Sequence, residues 1–171
     1  RVVFASSSSV YGENGHEEQS EEHHLHPRSP YAASKVAGEA YAEVFAQSFG
    51  LETVSLRYFN VFGPYQHRES KYSAVIPIFV KKLLSDERPT INGDGEQSRD
   101  FTFVENVVEA NILAAEASGV SGRVFNIGAG ATTSINTLFR LLRDMLGKPG
   151  VEPIYGPPQP GDVRETRADI R

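Results

Sequence analysis

The sequence predicts an α/β fold that is built on a parallel β-sheet. Short apolar runs, partly β-branched, occur at residues 1–5, 53–59 and 123–127, as is typical of strands buried inside such a sheet. Between them lie longer segments whose apolar residues recur at helical spacing, among them residues 31–49 and 106–117. Strands that alternate with helices indicate parallel pairing, because a parallel connection needs a crossover that a helix can provide.

The first part of the chain holds the clearest elements. The strand at residues 1–5 ends in small side chains and leads into a polar loop at residues 12–30. The helix at residues 31–49 is followed by Gly50, which is a favourable helix terminator. A second buried strand at residues 53–59 then completes a strand–helix–strand order.

The rest of the chain alternates shorter elements after the Gly63-Pro64 pair. In order, we predict a helix at residues 73–85, an extended segment at 89–92, a turn at 93–95, a strand at 101–104, a helix at 106–117, a strand at 123–127 and a helix at 134–146. The last, proline-rich stretch is predicted to be irregular. At its end, Asp169 is placed to cap the start of a new helix.

Charge and residue types exclude several classes of function. The formal net charge of -5 gives no positive field for nucleic acid or for an anionic membrane, so we expect neither partner. Cysteine is absent, which rules out disulfides and thiolate metal sites and fits a reducing, cytoplasmic location. His23, His24 and His26 lie in a polar loop without the ligand spacing of a helix, so we predict no metal site.

A tyrosine and a lysine lie one helical turn apart in Tyr31-Ala32-Ala33-Ser34-Lys35. Residues i and i+4 project from the same face of a helix, so the phenol and the ammonium are neighbours. A free phenol has a pKa of about 10 and is a poor base at neutral pH, whereas a nearby cation favours its phenolate. Such a pair is common on solvated helix faces, and its meaning depends on the motifs around it.

Further motifs, in a fixed order along the chain, supply that context. Ala5-Ser6-Ser7-Ser8-Ser9-Val10-Tyr11-Gly12 precedes the tyrosine–lysine segment, and Leu56-Arg57-Tyr58-Phe59-Asn60-Val61-Phe62-Gly63 follows it. Later come Gly93-Asp94-Gly95, Arg99-Asp100-Phe101, Asn126-Ile127-Gly128 and Pro160-Gly161-Asp162-Val163-Arg164. Together they resemble the nucleotide-sugar epimerase and dehydratase family, which is of the extended short-chain dehydrogenase type. The resemblance covers essentially the whole chain.

The resemblance implies the C-terminal part of a Rossmann-type parallel sheet together with a smaller α/β substrate-binding domain. Residues 1–63 would belong to the NAD-binding domain and residues 64–171 mainly to the substrate-binding domain, with residues 101–130 returning to the Rossmann sheet. Because the first strand begins at residue 1 without a lead-in, we expect an N-terminally truncated fragment that is inactive alone. The family also implies a homodimer through helices of the Rossmann domain.

The resemblance assigns a role to each motif. Ser7, Tyr31 and Lys35 would be catalytic, the tyrosine removing the proton of the sugar C4 hydroxyl while hydride passes from C4 to NAD. The NAD-binding residues would be Ser6, Tyr31, Lys35 and Phe59. The residues that bind the UDP-sugar would be Ser7, Ser8, Ser9, Asn60, Val75, Thr90, Asn92, Arg99, Asp162 and Thr166.

Within the family, the residues favour a UDP-sugar 4-epimerase. Related dehydratases and decarboxylases usually carry an acidic residue one or two positions after the catalytic hydroxyl, where this chain has Ser8 and Ser9. A serine hydroxyl is too weak an acid to replace it readily. Such a lyase and a non-catalytic sugar-nucleotide-binding relic remain alternatives, although the intact Ser7, Tyr31 and Lys35 argue against the relic. The small side chain of Thr166 is associated with acceptance of N-acetylhexosamines.

Two further positions shape the expected ligand contacts. Gln159 stands where many epimerases have a second phosphate-binding arginine, so Arg164 or another residue would have to supply that contact. The loop Gly128-Ala129-Gly130 follows a strand but has Thr133 in place of the third glycine of a dinucleotide-binding loop. We therefore predict that this loop does not bind NAD.

Overall fold

The computed structural model describes residues 1–13, 15, 18–66, 75–158 and 164–171. The α-helices are α1 (Pro30–Phe49), α2 (Val75–Leu84), α3 (Val104–Glu116) and α4 (Ile135–Met145). The strands are β1 (Val2–Ser7), β2 (Glu18–Gln19), β3 (Thr53–Tyr58), β4 (Val61–Phe62), β5 (Thr90–Asn92), β6 (Ser98–Arg99), β7 (Thr102–Phe103), β8 (Arg123–Ile127), β9 (Thr133–Ser134), β10 (Ile154–Gly156) and β11 (Glu165–Ala168). Within the described ranges, no helix is both long and apolar enough to cross a membrane.

Three parallel strands form the central sheet in the order β1-β3-β8. Ser7 pairs with Tyr58, and Tyr58 pairs in turn with Ile127, so the carboxyl ends of the three strands meet at one edge. Helices α1 and α3 cover opposite faces of this sheet. Successive side chains of a strand point to opposite sides, so neighbouring residues of β3 contact different helices. Arg57 bonds to α1, whereas Leu56 packs with Ala114 of α3.

Local sequence defines both ends of α1. The Ser29 hydroxyl accepts a hydrogen bond from the backbone N–H of Ala32 at 3.1 Å, and Pro30 occupies the first turn, where its missing N–H costs nothing. The helix ends at Gly50, whose φ of 67° lies in the left-handed region. These two signals hold Tyr31 in the first turn of the helix, next to the edge of the sheet.

The second half of the chain forms smaller sheets around a separate core. A four-stranded sheet has the order β2-β11-β6-β9, and two-stranded parallel sheets join β5 to β10 and β4 to β7. Phe79 and Leu83 of α2, Ile91 of β5, and Ile135 and Phe139 of α4 make up the buried cluster beside them. Strand β11 therefore connects the loop that contains β2 to the strand that carries Arg99.

The predicted α/β class and the parallel sheet are confirmed, and each predicted helix before residue 147 is present with its ends shifted by a few residues. The C-terminal predictions were wrong. The stretch expected to be irregular contains β10 and β11, and no helix begins at Asp169. The carboxylate of Asp169 instead accepts from the backbone N–H and the guanidinium of Arg171, and this pairing lowers the pKa of Asp169 to about 2.

Candidate active site

A cavity of about 890 Å³ opens where β1 and β3 end. One wall is formed by the turn after β1 and by the start of α1, and the other wall by residues that follow β3 and by β6 and β11. The lining residues are Ser6, Ser7, Ser8, Ser9, Gly12, Glu13, Arg28, Ser29, Tyr31, Ala32, Tyr58, Asn60, Val61, Arg99 and Thr166. Ligands of open α/β sheets bind beyond the carboxyl ends of the strands, so this cavity is the candidate site.

Ser7 occupies the last position of β1 and caps the 3-10 turn at Ser8–Val10. Its hydroxyl oxygen accepts from the backbone N–H of Ser9 at 3.2 Å. That contact uses a lone pair and leaves the O–H free to donate. Ser7 therefore presents an oriented hydroxyl donor to the cavity.

Tyr31 lines the same wall, and 52% of its surface is exposed. The Nζ of Lys35 lies 5.5 Å from the centroid of the Tyr31 ring and donates to the backbone oxygen of Ala5 at 2.8 Å. Lys35 itself lies outside the residues that line the cavity. Its ammonium has three donors, so two remain for other groups after the bond to Ala5. A cation is thus fixed beside the phenol, as the helical spacing predicted.

The remaining serines of the run have different environments. Ser6 is buried, and its hydroxyl donates to Glu39. The hydroxyl of Ser9 is also shielded from solvent, and it has no hydrogen-bond partner within the part of the chain that the structure describes. Ser8 begins the 3-10 turn and lines the cavity. Ser6 thus supplies a structural contact, whereas Ser7 and Ser9 keep unused hydrogen-bonding capacity beside the cavity.

Gly12 holds the loop between the turn and α1 against the site. Its φ is 57°, and a Cβ there would lie 1.8 Å from the backbone oxygen of His26 and 3.1 Å from Cγ of Arg28. We expect Gly12→Ala to lower the free energy of unfolding by about 2 kcal/mol, because left-handed strain adds to a backbone clash. Gly50→Ala is the control, since Gly50 has a similar φ and an open surrounding. Urea denaturation giving equal losses for the two variants would contradict the clash.

Asn60, Arg99 and Thr166 form the opposite wall. Asn60 has a φ of 21°, and its side-chain amide donates to the backbone oxygen of Asp100 at 3.0 Å. Arg99 and Thr166 are paired neighbours on β6 and β11, and Nη1 of Arg99 donates to the backbone oxygen of Ser98 at 2.6 Å. These side chains lie across the cavity from Tyr31. The arrangement supplies an amide and a guanidinium for an anionic ligand.

Four predicted contact residues lie away from the cavity. Phe59 has no exposed surface, because it packs in a cluster with Val10 and other core residues. Val75 is the first residue of α2 and packs against the core cluster, and Thr90 is exposed on β5. Asn92 lines a second cavity of about 490 Å³. Asp162 and Gln159 lie outside the described residues.

The structure also brings charged residues to the cavity that sequence patterns did not reveal. Arg28 and Glu13 line it, both from the polar loop that precedes α1. With Arg99, the described lining has two guanidinium groups and one carboxylate, which favours an anionic ligand. Arg164 instead forms a bidentate pair with Asp94 at 3.0 and 2.9 Å. Arg28 thus lines this cavity, whereas Arg164 lines a different one.

The loop at residues 128–130 is occupied by an internal anion. The buried carboxylate of Asp100 accepts from the N–H groups of Ala129 at 2.8 Å, Gly130 at 3.0 Å and Ala168 at 3.1 Å. A Cβ on Gly128 would lie 2.8 Å from Asp100 Oδ2. The backbone N–H groups of this loop that could bind a phosphate thus already donate to Asp100. Among the described residues, no group of three or more His, Asp and Glu side chains could hold a metal ion.

Comparisons with known proteins agree with this geometry. Residues 1–128 match the NAD dependent epimerase/dehydratase family. The chain is 38% identical to a UDP-glucose 4-epimerase of Mycolicibacterium smegmatis, over 99% of its own length and 53% of that protein. It superimposes on a UDP-N-acetylglucosamine 4-epimerase from Methanobrevibacter ruminantium in complex with UDP-N-acetylmuramic acid, with a TM-score of 0.94, 46% identity, and coverage of 98% of this chain and 53% of that one.

A second similar structure contains the cofactor. It is a UDP-glucuronic acid 4-epimerase from Bacillus cereus in complex with UDP-glucuronic acid and NAD, with a TM-score of 0.88, 34% identity, and coverage of 98% of this chain and 52% of that one. The fold is thus of the Rossmann-type α/β class of the extended short-chain dehydrogenases. The chain belongs to the NAD dependent epimerase/dehydratase family, whose cofactor is NAD. It spans about half the length of the relatives that it matches.

Proposed function

We propose that the complete protein that carries these residues is an NAD-dependent UDP-sugar 4-epimerase. The observation that carries the proposal is the position of Ser7 and Tyr31 on one cavity wall, with the Lys35 ammonium 5.5 Å from the Tyr31 ring. Two arginines in the same cavity suit the diphosphate of a sugar nucleotide. The relatives described above, which are named as 4-epimerases of three different UDP-sugars, support the same reaction.

The first step of the proposed mechanism is removal of the proton from the sugar C4 hydroxyl. The Ser7 hydroxyl hydrogen-bonds to the C4 oxygen of the sugar and relays the proton of the C4 hydroxyl. The Tyr31 oxygen is the base that receives this proton. Lys35 stabilises the phenolate form of Tyr31 and would also hold the nicotinamide ribose of NAD. When bound beside Lys35, NAD would supply the acceptor, and later the donor, of the C4 hydride. Tyr31 then gives the proton back to the C4 oxygen, so the reaction has no net redox change.

Arg99, Asn60 and Arg28 are the proposed anchors of the diphosphate. The guanidinium fork pairs with two phosphate oxygens at once, and this grip lets the sugar ring turn over while the nucleotide stays bound. Thr166 lines the same cavity as Arg99, and its side chain is small. We therefore include N-acetylhexosamines among the substrates.

A lyase is the second candidate because Glu13 brings a carboxylate into the cavity. Dehydration needs a general acid for the departing hydroxyl, and Ser8 and Ser9 cannot supply it readily. Incubation of the complete protein with UDP-glucose, UDP-N-acetylglucosamine and UDP-glucuronate, followed by NMR of the products, distinguishes the reactions. C4 inversion supports the proposal, whereas loss of water or carbon dioxide contradicts it. If UDP-glucose were converted but UDP-N-acetylglucosamine did not bind, the assignment of Thr166 would be wrong.

We also propose that the protein pairs through α1. Tyr41, Val44, Phe45 and Phe49 form an exposed apolar stripe on this helix, and 71% of the surface of Phe49 is accessible. The rings of Phe45 and Phe49 lie 5.2 Å apart. An apolar stripe of this kind is typical of a helix–helix interface.

Phe49→Glu is expected to convert the dimer of the complete protein to a monomer, because a carboxylate would be buried without a partner at the interface. Analytical ultracentrifugation at micromolar concentration measures the change. Met145→Glu is the control, since Met145 is also an exposed apolar residue but lies on α4. A monomeric parent protein, or a dimer that survives Phe49→Glu, would rule out this interface.

A further inference from the structure

Beneath α1 lies a buried ion pair to which the proposed reaction assigns no role. Arg57 on β3 donates from Nε to Glu39 Oε1 at 3.0 Å and from Nη2 to Glu39 Oε2 at 2.7 Å. The two residues are only 4% and 6% exposed. This bidentate geometry is a strong form of arginine–carboxylate pairing and orients both side chains. The pair therefore fixes α1 relative to β3.

The same pair reaches both ends of the turn that carries Ser7. On one side, the hydroxyl of Ser6 donates to Oε1 of Glu39. On the other side, the hydroxyl of Tyr11 accepts from Nη1 of Arg57 at 2.9 Å. Ser6 and Tyr11 are themselves buried. The turn is thus held at both ends by one charged network that is anchored on α1 and β3.

Burial and charge together keep Tyr11 and Arg57 protonated. Burial raises the pKa of the Tyr11 hydroxyl more than Arg57 lowers it, so Tyr11 stays protonated and donates to Asn126 Oδ1 at 2.6 Å. Burial alone would lower the pKa of Arg57, but its hydrogen bonds to Glu39 and Tyr11 outweigh burial and hold that pKa above its usual value. The hydrogen bonds around the turn therefore persist at neutral pH.

Stability alone does not account for the network. The desolvation of two buried charges offsets most of their attraction, and apolar residues of similar volume often stabilise a fold equally well. Apolar packing does not impose the directional contacts that hydrogen bonds impose on Ser6 and Tyr11. What the charged pair adds is a unique placement of the turn against the helix.

We propose that Glu39 and Arg57 are positioning residues that fix the Ser7 hydroxyl relative to the Tyr31 hydroxyl. Glu39 lies on the same helix as Tyr31, and Ser6 adjoins Ser7, so the bond from Ser6 to Glu39 connects the two groups through rigid elements. Small displacements of reacting groups cause large losses of rate, which gives such a connection catalytic value. This inference rests on the proposed epimerase function.

The test measures C4 inversion by the complete protein and separates kcat from KM. Ser6→Ala removes the hydroxyl that donates to Glu39. Because Ser6 also lines the cavity, the rates are measured at saturating NAD, and we expect kcat to fall about tenfold while KM for the UDP-sugar changes less than about threefold. Ser6→Thr, which restores a hydroxyl, is expected to recover most of the rate. The double variant Glu39→Leu/Arg57→Met is expected to keep its urea midpoint near that of the parent and to lose at least as much in kcat as Ser6→Ala.

The pair of Lys148 and Asp86 supplies the control, because Lys148→Met/Asp86→Asn removes an ion pair outside the cavity lining and should leave kcat unchanged. Asparagine is chosen because Asp86 has a φ of 57°, which asparagine tolerates better than leucine. A kcat within about threefold of the parent for Ser6→Ala would overturn the proposal, whether or not the Glu39 and Arg57 variant folds. Equal loss of kcat in Ser6→Thr and Ser6→Ala would also overturn it. A parent protein that shows no C4 inversion would overturn the proposed function and this inference together.

Discussion

Replacing Tyr31 with phenylalanine is expected to lower kcat for C4 epimerisation by at least about 100-fold in the complete protein. The change removes only the hydroxyl that exchanges a proton with the sugar, and the exposed ring keeps its place on α1. Ser7 retains its hydroxyl but has no base to receive the proton that it relays. We expect the affinity for the UDP-sugar, measured by isothermal titration calorimetry, to change little, because the proposed anchors lie on other elements.

Tyr41→Phe is the control for this experiment. Tyr41 lies on the same helix and is 68% exposed, so the same hydroxyl is removed from the same element outside the cavity. Activity of Tyr31→Phe within about tenfold of the parent would contradict the acid–base role, because such groups contribute 100-fold or more. Loss of the folded circular dichroism spectrum in Tyr31→Phe alone would show that the ring position, and not proton transfer, had been disturbed.

The main elements were predictable because their signals are local. The Ser29-Pro30 start and the Gly50 stop of α1 depend on neighbouring residues only, as does the apolar pattern of β1 and β3. Once the strands are taken as parallel, their carboxyl ends must meet at one edge. The approach of Ser7 to the start of α1 follows from that topology.

The short C-terminal strands were not predictable because their partners are distant in sequence. Strand β11 pairs with β2 and β6, and β10 pairs with β5. Each pairing depends on where the rest of the chain has already placed the partner, and proline-rich local sequence gives no sign of it. For the same reason, the sequence alone did not show that Arg28 and Glu13 would line the same cavity as Tyr31.

The burial of Phe59 and of the polar residues of β3 was also not predictable from the sequence. An aromatic residue at a strand end faces either the ligand or the core, and the choice for Phe59 depends on the cluster that surrounds it. On β3, Thr53, Ser55 and Arg57 are buried although their side chains are polar. Their burial requires partners such as Glu39, and the pairing of two charges far apart in the sequence leaves no periodic signal.

We expect Asp100→Asn, which replaces one carboxylate oxygen with an NH₂ group, to cause a large loss of stability. Its carboxylate has no exposed surface and joins the loop at residues 129–130 to Ala168 on β11 through three backbone N–H groups. In Asp100→Asn, one oxygen becomes an NH₂ group that cannot accept, so at least one buried N–H loses its partner. We expect the free energy of unfolding to fall by about 3 kcal/mol. The loss of a hydrogen bond to a charged group and the presence of an unsatisfied buried donor each lower stability.

Urea denaturation of the protein measures this loss, and Asp94→Asn provides the comparison. Asp94 pairs with Arg164, and both side chains are exposed, so solvent replaces the lost contact and the change in the free energy of unfolding should be far smaller. The carboxylate of Asp100 also holds the 129–130 loop against β11. Thr166, which lies on β11, lines the cavity. Asp100→Asn should therefore weaken binding of the UDP-sugar as well, and a variant with unchanged unfolding and unchanged binding would show that the three N–H groups find other acceptors.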